Sequence, residues 1–254
     1  MLHILSYAYE LGIKLTLEDF EKYAEEIPCI NAVVPSGPYT VVDFHYAGGV
    51  MNVMKMLESK LYTNVPSMYG NTWADMLSKV KAQENKVIHS LEKPLFHEPG
   101  LKILRGNLSP NGAIVRPTAV YDEVKYMKGK AKVFEGDRPA FEAIMAGEIV
   151  PGDIIVIRYE GCKGAPGMKE LMLSIDALIG LGLDKSVGLI SDARFSGFNY
   201  GAIIGHVSPE AYDGGNIALV ENGDEIVIDI PNGEVSMLVS EEELERRRAA
   251  WVCP

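Results

Sequence analysis

The sequence predicts an α/β chain in which a helical segment, residues 1 to about 94, precedes a β-barrel domain over residues 95–254. Three observations lead there. Short β-type runs separated by strong turn signals crowd the second part. Apolar residues recur at helical spacing in the first part. Between them the stretch Asn85 to Gly100, which carries Pro94 and Pro99, reads as a linker.

Met1 to Lys14 reads as the apolar face of a packed helix and lacks the basic head and cleavage pattern of a signal peptide. Thr16 and Asp19 resemble a capping box, followed by Leu17, Phe20, Tyr23, Ala24 and Ile27 at helical spacing, and Pro28 ends the element. After the loop Pro35-Ser36-Gly37-Pro38, a second helix is expected from about Val50 to Lys60, with Val50, Val53, Met54 and Leu57 on one face. A third, less regular, runs from about Thr72 to Ala82.

The strand-like runs are Leu101–Arg105, Ile114–Arg116, Ala131–Phe134, Ile154–Tyr159, Val187–Ser191, Ile217–Val220, Glu225–Ile230 and Val235–Val239. Turns are expected at Pro110-Asn111-Gly112, Pro151-Gly152-Asp153, Asn222-Gly223-Asp224 and Pro231-Asn232-Gly233. Closure into a barrel would remove exposed strand edges, and a sandwich is the alternative. The charged tail Glu241 to Arg248 reads as a surface helix capped by Ser240.

Composition narrows the function. Lys plus Arg is 24 and Asp plus Glu is 35, so the net charge is 24 − 35 = −11. An acidic chain without a basic cluster is a poor ligand for nucleic acid or for anionic membrane surfaces. No apolar run reaches the roughly 18 residues a membrane span needs. Cys29, Cys162 and Cys253 are far apart and in no metal-ligand spacing, which points to a reducing, cytoplasmic setting.

Four segments could carry chemistry. Gly161-Cys162-Lys163-Gly164-Ala165-Pro166-Gly167-Met168 follows an apolar strand and precedes an apolar helical pattern. Free backbone N–H groups there suit a carboxylate, against the plainer reading of a tight connection. Glu170, in the expected first turn, either complements the helix dipole or ligates a hard cation. Ser191-Asp192-Ala193-Arg194-Phe195-Ser196-Gly197 sits at a strand end, so Ser196 is either a turn residue or an exposed hydroxyl. Position 194 is Arg, so the GxSxG elbow of a serine hydrolase is absent, and a Ser196/His206 hydrolase ranks third among the functions considered. His206, before Val207-Ser208-Pro209-Glu210, reads as a core histidine or a catalytic one. Asn107, in Gly106-Asn107-Leu108-Ser109, belongs to a turn or grips substrate hydroxyls.

Together, the stretches PSGPYTVVDFHYAGG (35–49), LRGNLSPNGAIV (104–115), VPGDIIVIRYEGCKGAPGM (150–168), SDARFSG (191–197), GHVSPEAYDGG (205–215) and ALVENGD (218–224) resemble the dihydroxy-acid and 6-phosphogluconate (sugar-acid) dehydratase family over nearly the whole chain. The resemblance implies a swivelling β-barrel as the C-terminal domain, preceded by the end of an incomplete N-terminal α/β domain. It implies Ser196 as the base and Glu170 as a Mg²⁺ ligand. Gly164, Ala165, Pro166, Gly167, Arg194, Gly197 and Asn107 are the expected substrate-binding positions. The implied reaction is β-elimination of water from a 2,3-dihydroxy carboxylate to a 2-keto acid, aided by Mg²⁺ and an iron–sulfur cluster. The cluster cysteines of the family lie in an N-terminal half with no counterpart here, and Cys162 stands where a proline is common. The expectation is therefore a half-enzyme needing an N-terminal dehydratase half or companion subunit, self-associating as the family does. The alternative is a non-catalytic acid-binding or regulatory module. Phe198-Asn199-Tyr200-Gly201 after the serine leans the substrate toward sugar acids rather than branched-chain acids.

Overall fold

The structure, a computed structural model, describes residues 2–254. The chain divides into two compact units, residues 1–23 with 101–254, and residues 24–100.

The first unit is a closed barrel of eight strands among the described residues, in the order β1-β10-β9-β3-β4-β6-β8-β2. Its strands are β1 (Lys102–Gly106), β2 (Ser109–Val115), β3 (Tyr126–Glu135), β4 (Asp153–Arg158), β6 (Gly188–Ser191), β8 (Ile203–Ser208), β9 (Glu225–Asp229) and β10 (Glu234–Met237). The two-residue strands β5 (Glu170–Leu171) and β7 (Arg194–Phe195) pair with each other outside it. β3, β4, β6 and β8 run parallel, with α6 (Asp137–Met145) linking β3 to β4 and α7 (Leu173–Gly180) lying between β4 and β6.

The apolar run Ile154-Ile155-Val156-Ile157 of β4 shows why parallel pairing fits here. Successive side chains point to opposite faces, so an unbroken apolar strand needs cover on both. Ile154 and Val156 join the barrel interior with Leu104, Val115, Ile190, Ile204, Ile226, Ile228 and Val235. Ile155 and Ile157 join a second layer with Ile144 of α6 and Ile175 and Leu178 of α7. Each such side chain contributes about 1.5–3 kcal/mol on leaving water.

Three sequence expectations are corrected. Ile217–Val220 is not a strand: Asn216–Leu219 forms a buried 3-10 turn, and a short buried apolar run has no periodicity to tell the two apart. The eighth strand is instead β8. Pro110-Asn111-Gly112 is not the turn either. It lies within β2, and the β1–β2 hairpin closes at Asn107-Leu108, where Gly106 pairs with Ser109. α1 (Leu2–Glu10) forms, but its apolar residues Ile4, Tyr7 and Tyr9 are exposed and Ala8 is buried. The tail helix α8 (Glu241–Ala250) starts at Ser240, whose hydroxyl accepts the Glu243 N–H, as expected.

α2 (Leu17–Glu26) runs across the division at Tyr23. The second unit holds α3 (Val41–Tyr46), α4 (Gly49–Met56) and α5 (Trp73–Leu77). α3 and α5 open on capping boxes, Thr40 with Asp43 and Thr72 with Asp75. The helices expected over 50–60 and 72–82 are shorter than their apolar pattern suggested. Val50 is exposed, and the buried residue of α4 is Asn52.

Candidate functional site

Three of the four segments singled out in the sequence meet at the C-terminal ends of β4 and β6, the usual place for a site beside parallel strands. The three non-glycine residues with left-handed backbone among the described residues, Tyr159 (φ 64°), Met168 (φ 42°) and His206 (φ 57°), all border these loops. Such conformations are costly and concentrate at functional sites.

Ser196 follows β7. The parallel pairing of β5 with β7 sets Glu170 beside Arg194 and Leu171 beside Phe195, so the backbones carrying Glu170 and Ser196 run side by side. The sequence expectation of Glu170 in a helical first turn is corrected here. The chain stays extended through Leu171, and α7 begins at Leu173. The reason is Asp137: its buried carboxylate accepts the N–H groups of Leu173 and Ser174 and the Ser174 hydroxyl, so that is where the helix is capped.

The Gly-rich loop also differs from expectation. Its anion is internal. The Glu210 carboxylate accepts the N–H of Lys163 at 3.0 Å and of Gly164 at 3.0 Å. Gly161 makes this possible, because a Cβ there would lie 2.4 Å from the Glu210 carboxyl. The Ala165 N–H donates to Gly161 O, Pro166 has none to give, and Gly167 sits in the left-handed region at φ 90°. Asp213 holds Lys163 at 2.5 Å and raises the pKa of its ammonium.

Asp192, which sequence reasoning passed over, ties the loops together. It is buried after β6 and accepts the N–H groups of Tyr159 (3.2 Å), Glu160 (3.0 Å) and Ala211 (2.9 Å). Burial raises its pKa and those three donors oppose the rise. The one sequence signal was an acidic residue closing an apolar run, which alone means little.

Ser196 is half-buried, and its Oγ accepts the Phe198 N–H at 3.1 Å. Arg116 donates to the carbonyl of Gly197. A cavity of about 240 Å³ lies there, lined by Arg116, Arg194, Phe195, Ser196, Gly197 and His206, among others. A second, of about 570 Å³, shares His206 and is walled by Lys163, Asp192, Glu210 and Asp213. Ser196 and His206 line one cavity without a hydrogen bond between them, so no hydrolase-type dyad forms. Gly205 is required beside them, since a Cβ would meet the Phe195 ring at 2.5 Å.

Among the expected substrate-binding residues, Arg194 and Gly197 join Ser196 at the smaller cavity, and Gly164 to Gly167 lie in the loop after β4. Asn107 is elsewhere. Its amide exchanges two hydrogen bonds with the Met237 backbone, both at 2.7 Å, and closes the seam of β1 and β10.

For metals, Glu170 is an exposed carboxylate, which fits one ligand position on Mg²⁺. The described residues hold no group of three or more His, Cys, Asp or Glu placed for a metal ion. Cys29 is half-buried while Cys162 and Cys253 are exposed, and these thiols do not fit an iron–sulfur cluster.

Comparison with known proteins adds to this geometry. Residues 86–254 match the family model described as dihydroxy-acid/6-phosphogluconate dehydratase C-terminal, and residues 1–76 match the N-terminal model of that family. The dihydroxy-acid dehydratase of Clostridium novyi is 46% identical over 255 residues, covering 100% of this chain and 46% of that protein. Those of Geobacter sulfurreducens and Methanosarcina barkeri are each 45% identical, with the same coverage. The chain thus spans about half the length of the curated relatives it matches.

Proposed function

The chain belongs to the dihydroxy-acid/6-phosphogluconate dehydratase family, and from that premise we propose that it is the C-terminal half of a hydro-lyase converting a 2,3-dihydroxy carboxylic acid, a sugar acid or a branched-chain dihydroxy acid, to a 2-keto acid. One observation carries the reading: the β5–β7 ladder, which runs the Glu170 segment beside that of Ser196, itself on a cavity wall.

Ser196 takes the proton from C2 of the acid. The electron pair left behind forms the C2=C3 bond, the C3 hydroxyl departs with its bonding pair and leaves as water on taking up the proton that Ser196 removed, and the enol rearranges to the keto acid. Serine is a weak base, so its oxyanion needs help. The Phe198 N–H bonds to Oγ and favours the charged form. The Arg194 guanidinium on the same wall adds positive charge. Bound Mg²⁺, with Glu170 as one ligand, supplies further charge to the substrate oxygens. The iron–sulfur cluster of the reading is held outside this chain's residues, and no step here runs through it. Arg194, Gly197 and the loop from Gly164 through Ala165 and Pro166 to Gly167 are the proposed substrate contacts.

The proposed partner is an N-terminal dehydratase half or companion subunit, with self-association beside it. Exposed apolar side chains support a covered surface: Val41, Tyr46, Val50 and Met68 are 71%, 83%, 63% and 89% exposed. A cytoplasmic setting belongs to the same proposal. It is supported by the acidic charge and by the lack of any helix, among the described residues, long and apolar enough to cross a membrane.

The test is anaerobic 2-keto acid formation from a panel of aldonic and dihydroxy acids. The chain is assayed alone and co-expressed with a family N-terminal half, after iron–sulfur and Mg²⁺ reconstitution. Activity is expected in the mixture, falling about 10²–10⁴-fold in Ser196→Ala. A formed complex with an intact cluster and no turnover on any acid would overturn the reading in favour of a non-catalytic acid-binding module.

A further inference from the structure

Two polar side chains at the Ser196 cavity each hold an atom without a partner. Arg194 Nε and His206 Nδ1 are both sealed from solvent without a hydrogen bond among the described residues. Arg105 and Arg247 are paired through Glu21 and Asp224, while Arg158, whose Nε is also unpaired, still donates through its terminal nitrogen to Ala218 O. Buried polar groups are rarely left unpaired, and a guanidinium least of all. The arginine donor left open at this cavity calls for an acceptor, and an anionic one arriving from outside suits its charge.

His206 is held toward that task by the backbone. β2 and β8 lose register between the pairs Gly112 with Ser208 and Ile114 with Gly205, so β8 carries one extra residue there. His206 sits in this bulge at φ 57°, its N–H bonded to Ala193 O at 2.8 Å. Bulges re-aim side chains, and the ring packs 5.9 Å from the Phe195 ring. Burial above all, with the Arg194 cation adding to it, lowers the imidazole pKa to about 4, so the ring is neutral near pH 7. A neutral imidazole has one N–H. Orphaned buried N–H groups are rarer than under-satisfied acceptors, which puts the hydrogen on Nε2, the nitrogen left to meet a ligand.

We propose that His206 touches the substrate: its Nε2–H, beside the Arg194 guanidinium, receives the carboxylate of the acid whose C2 proton Ser196 removes. This rests on the reading of the cavity as the acid site. The probe is D-glycerate, the smallest 2,3-dihydroxy carboxylate, with glycerol as the control lacking a carboxylate. Imidazole nitrogen and backbone amide resonances are followed by NMR in the wild type, His206→Phe and His206→Gln. Glycerate, and not glycerol, is expected to shift the His206 Nε2 resonance saturably. His206→Phe is expected to weaken glycerate binding tenfold or more, and His206→Gln, which restores a donor, to recover most of it. Should glycerate move the Ser196 and Gly197 amides while the His206 ring stays still and His206→Phe binds as wild type, the inference falls and the acid site stands. Should glycerate move none of these resonances, the acid-site reading fails and takes the inference with it.

Discussion

In β4, Ile154 and Val156 enter one buried layer and Ile155 and Ile157 another, so every side chain of the run is covered. In the unit of residues 24–100 the apolar residues Val41, Val42, Tyr46 and Val50 face solvent, while the polar Asn52 is buried. Asn52 acts there as a clasp. Its Nδ2 donates to Ala47 O and Gln83 O, and its Oδ1 accepts the Gln83 N–H. The barrel is held by burial on two faces. The smaller unit is held by capping boxes and one amide network around a thin core of Ile30, Ala32, Leu77, Val87 and Ile88. An apolar pattern therefore has different meanings in the two units: in the barrel it records what is covered, and in the other it records a surface left open.

The strongest way to test this contrast is to hollow the barrel. Leu104 is fully buried in its interior. Leu104→Ala is expected to lower the unfolding free energy by about 2–5 kcal/mol, read from urea denaturation at unchanged m-value. A loss below about 1 kcal/mol would mean the interior is less tightly packed than described.

An intermediate effect is expected from acid. His206 has a folded pKa of about 4 against 6.5 for the free side chain. Between these values the unfolded chain binds more protons, so stability is full above about pH 6.5 and falls as the pH drops toward 4. The loss is on the order of 2 kcal/mol. Arg194, Asp192, Lys163, Glu210 and Asp213 share the walls around the ring. Asp192 acts with the opposite sign, since its raised pKa makes its contribution largest in acid and smaller as the pH rises. Denaturation curves of wild type and His206→Phe across pH 4–7 isolate the histidine. Parallel curves would show that His206 is not held neutral by the fold.

The smallest effect belongs to the open surface. Val50→Ser is expected to leave stability within about 0.5 kcal/mol, because the side chain is already in water. A loss comparable to that of Leu104→Ala would erase the distinction between the units.

Much of the barrel could be read before folding, because β4, β6, β9 and β10 are apolar runs bounded by Gly, Pro and Asn turns, and both the alternation and the turns are local properties. β8 escaped because its apolar residues Ala202, Ile203 and Ile204 run into Gly205 and a bulge, which break the strand pattern. α6 escaped because its start, Gly136-Asp137-Arg138-Pro139, reads as a turn, and Asp137 shows its purpose only where it caps α7. Ser196 and Glu170 were legible through motif resemblance, each at a loop a strand would present. His206 stood out in the sequence as a core or catalytic histidine, but the ties made by Asp192 and Glu210 did not show. A carboxylate that accepts N–H groups from 32 or 46 residues away leaves no trace in the spacing around it.

Residue order along the chain was enough for the fold class, the acidic character and the turn positions at residues 222–224 and 231–233, since each depends on neighbours a few residues apart. Three-dimensional closure was needed to choose which carboxylate caps which loop, to bring β5 beside β7, and to strip His206 and Arg194 of partners. Those outcomes depend on which groups lose water together, and desolvation is a property of the packed molecule rather than of any segment in it.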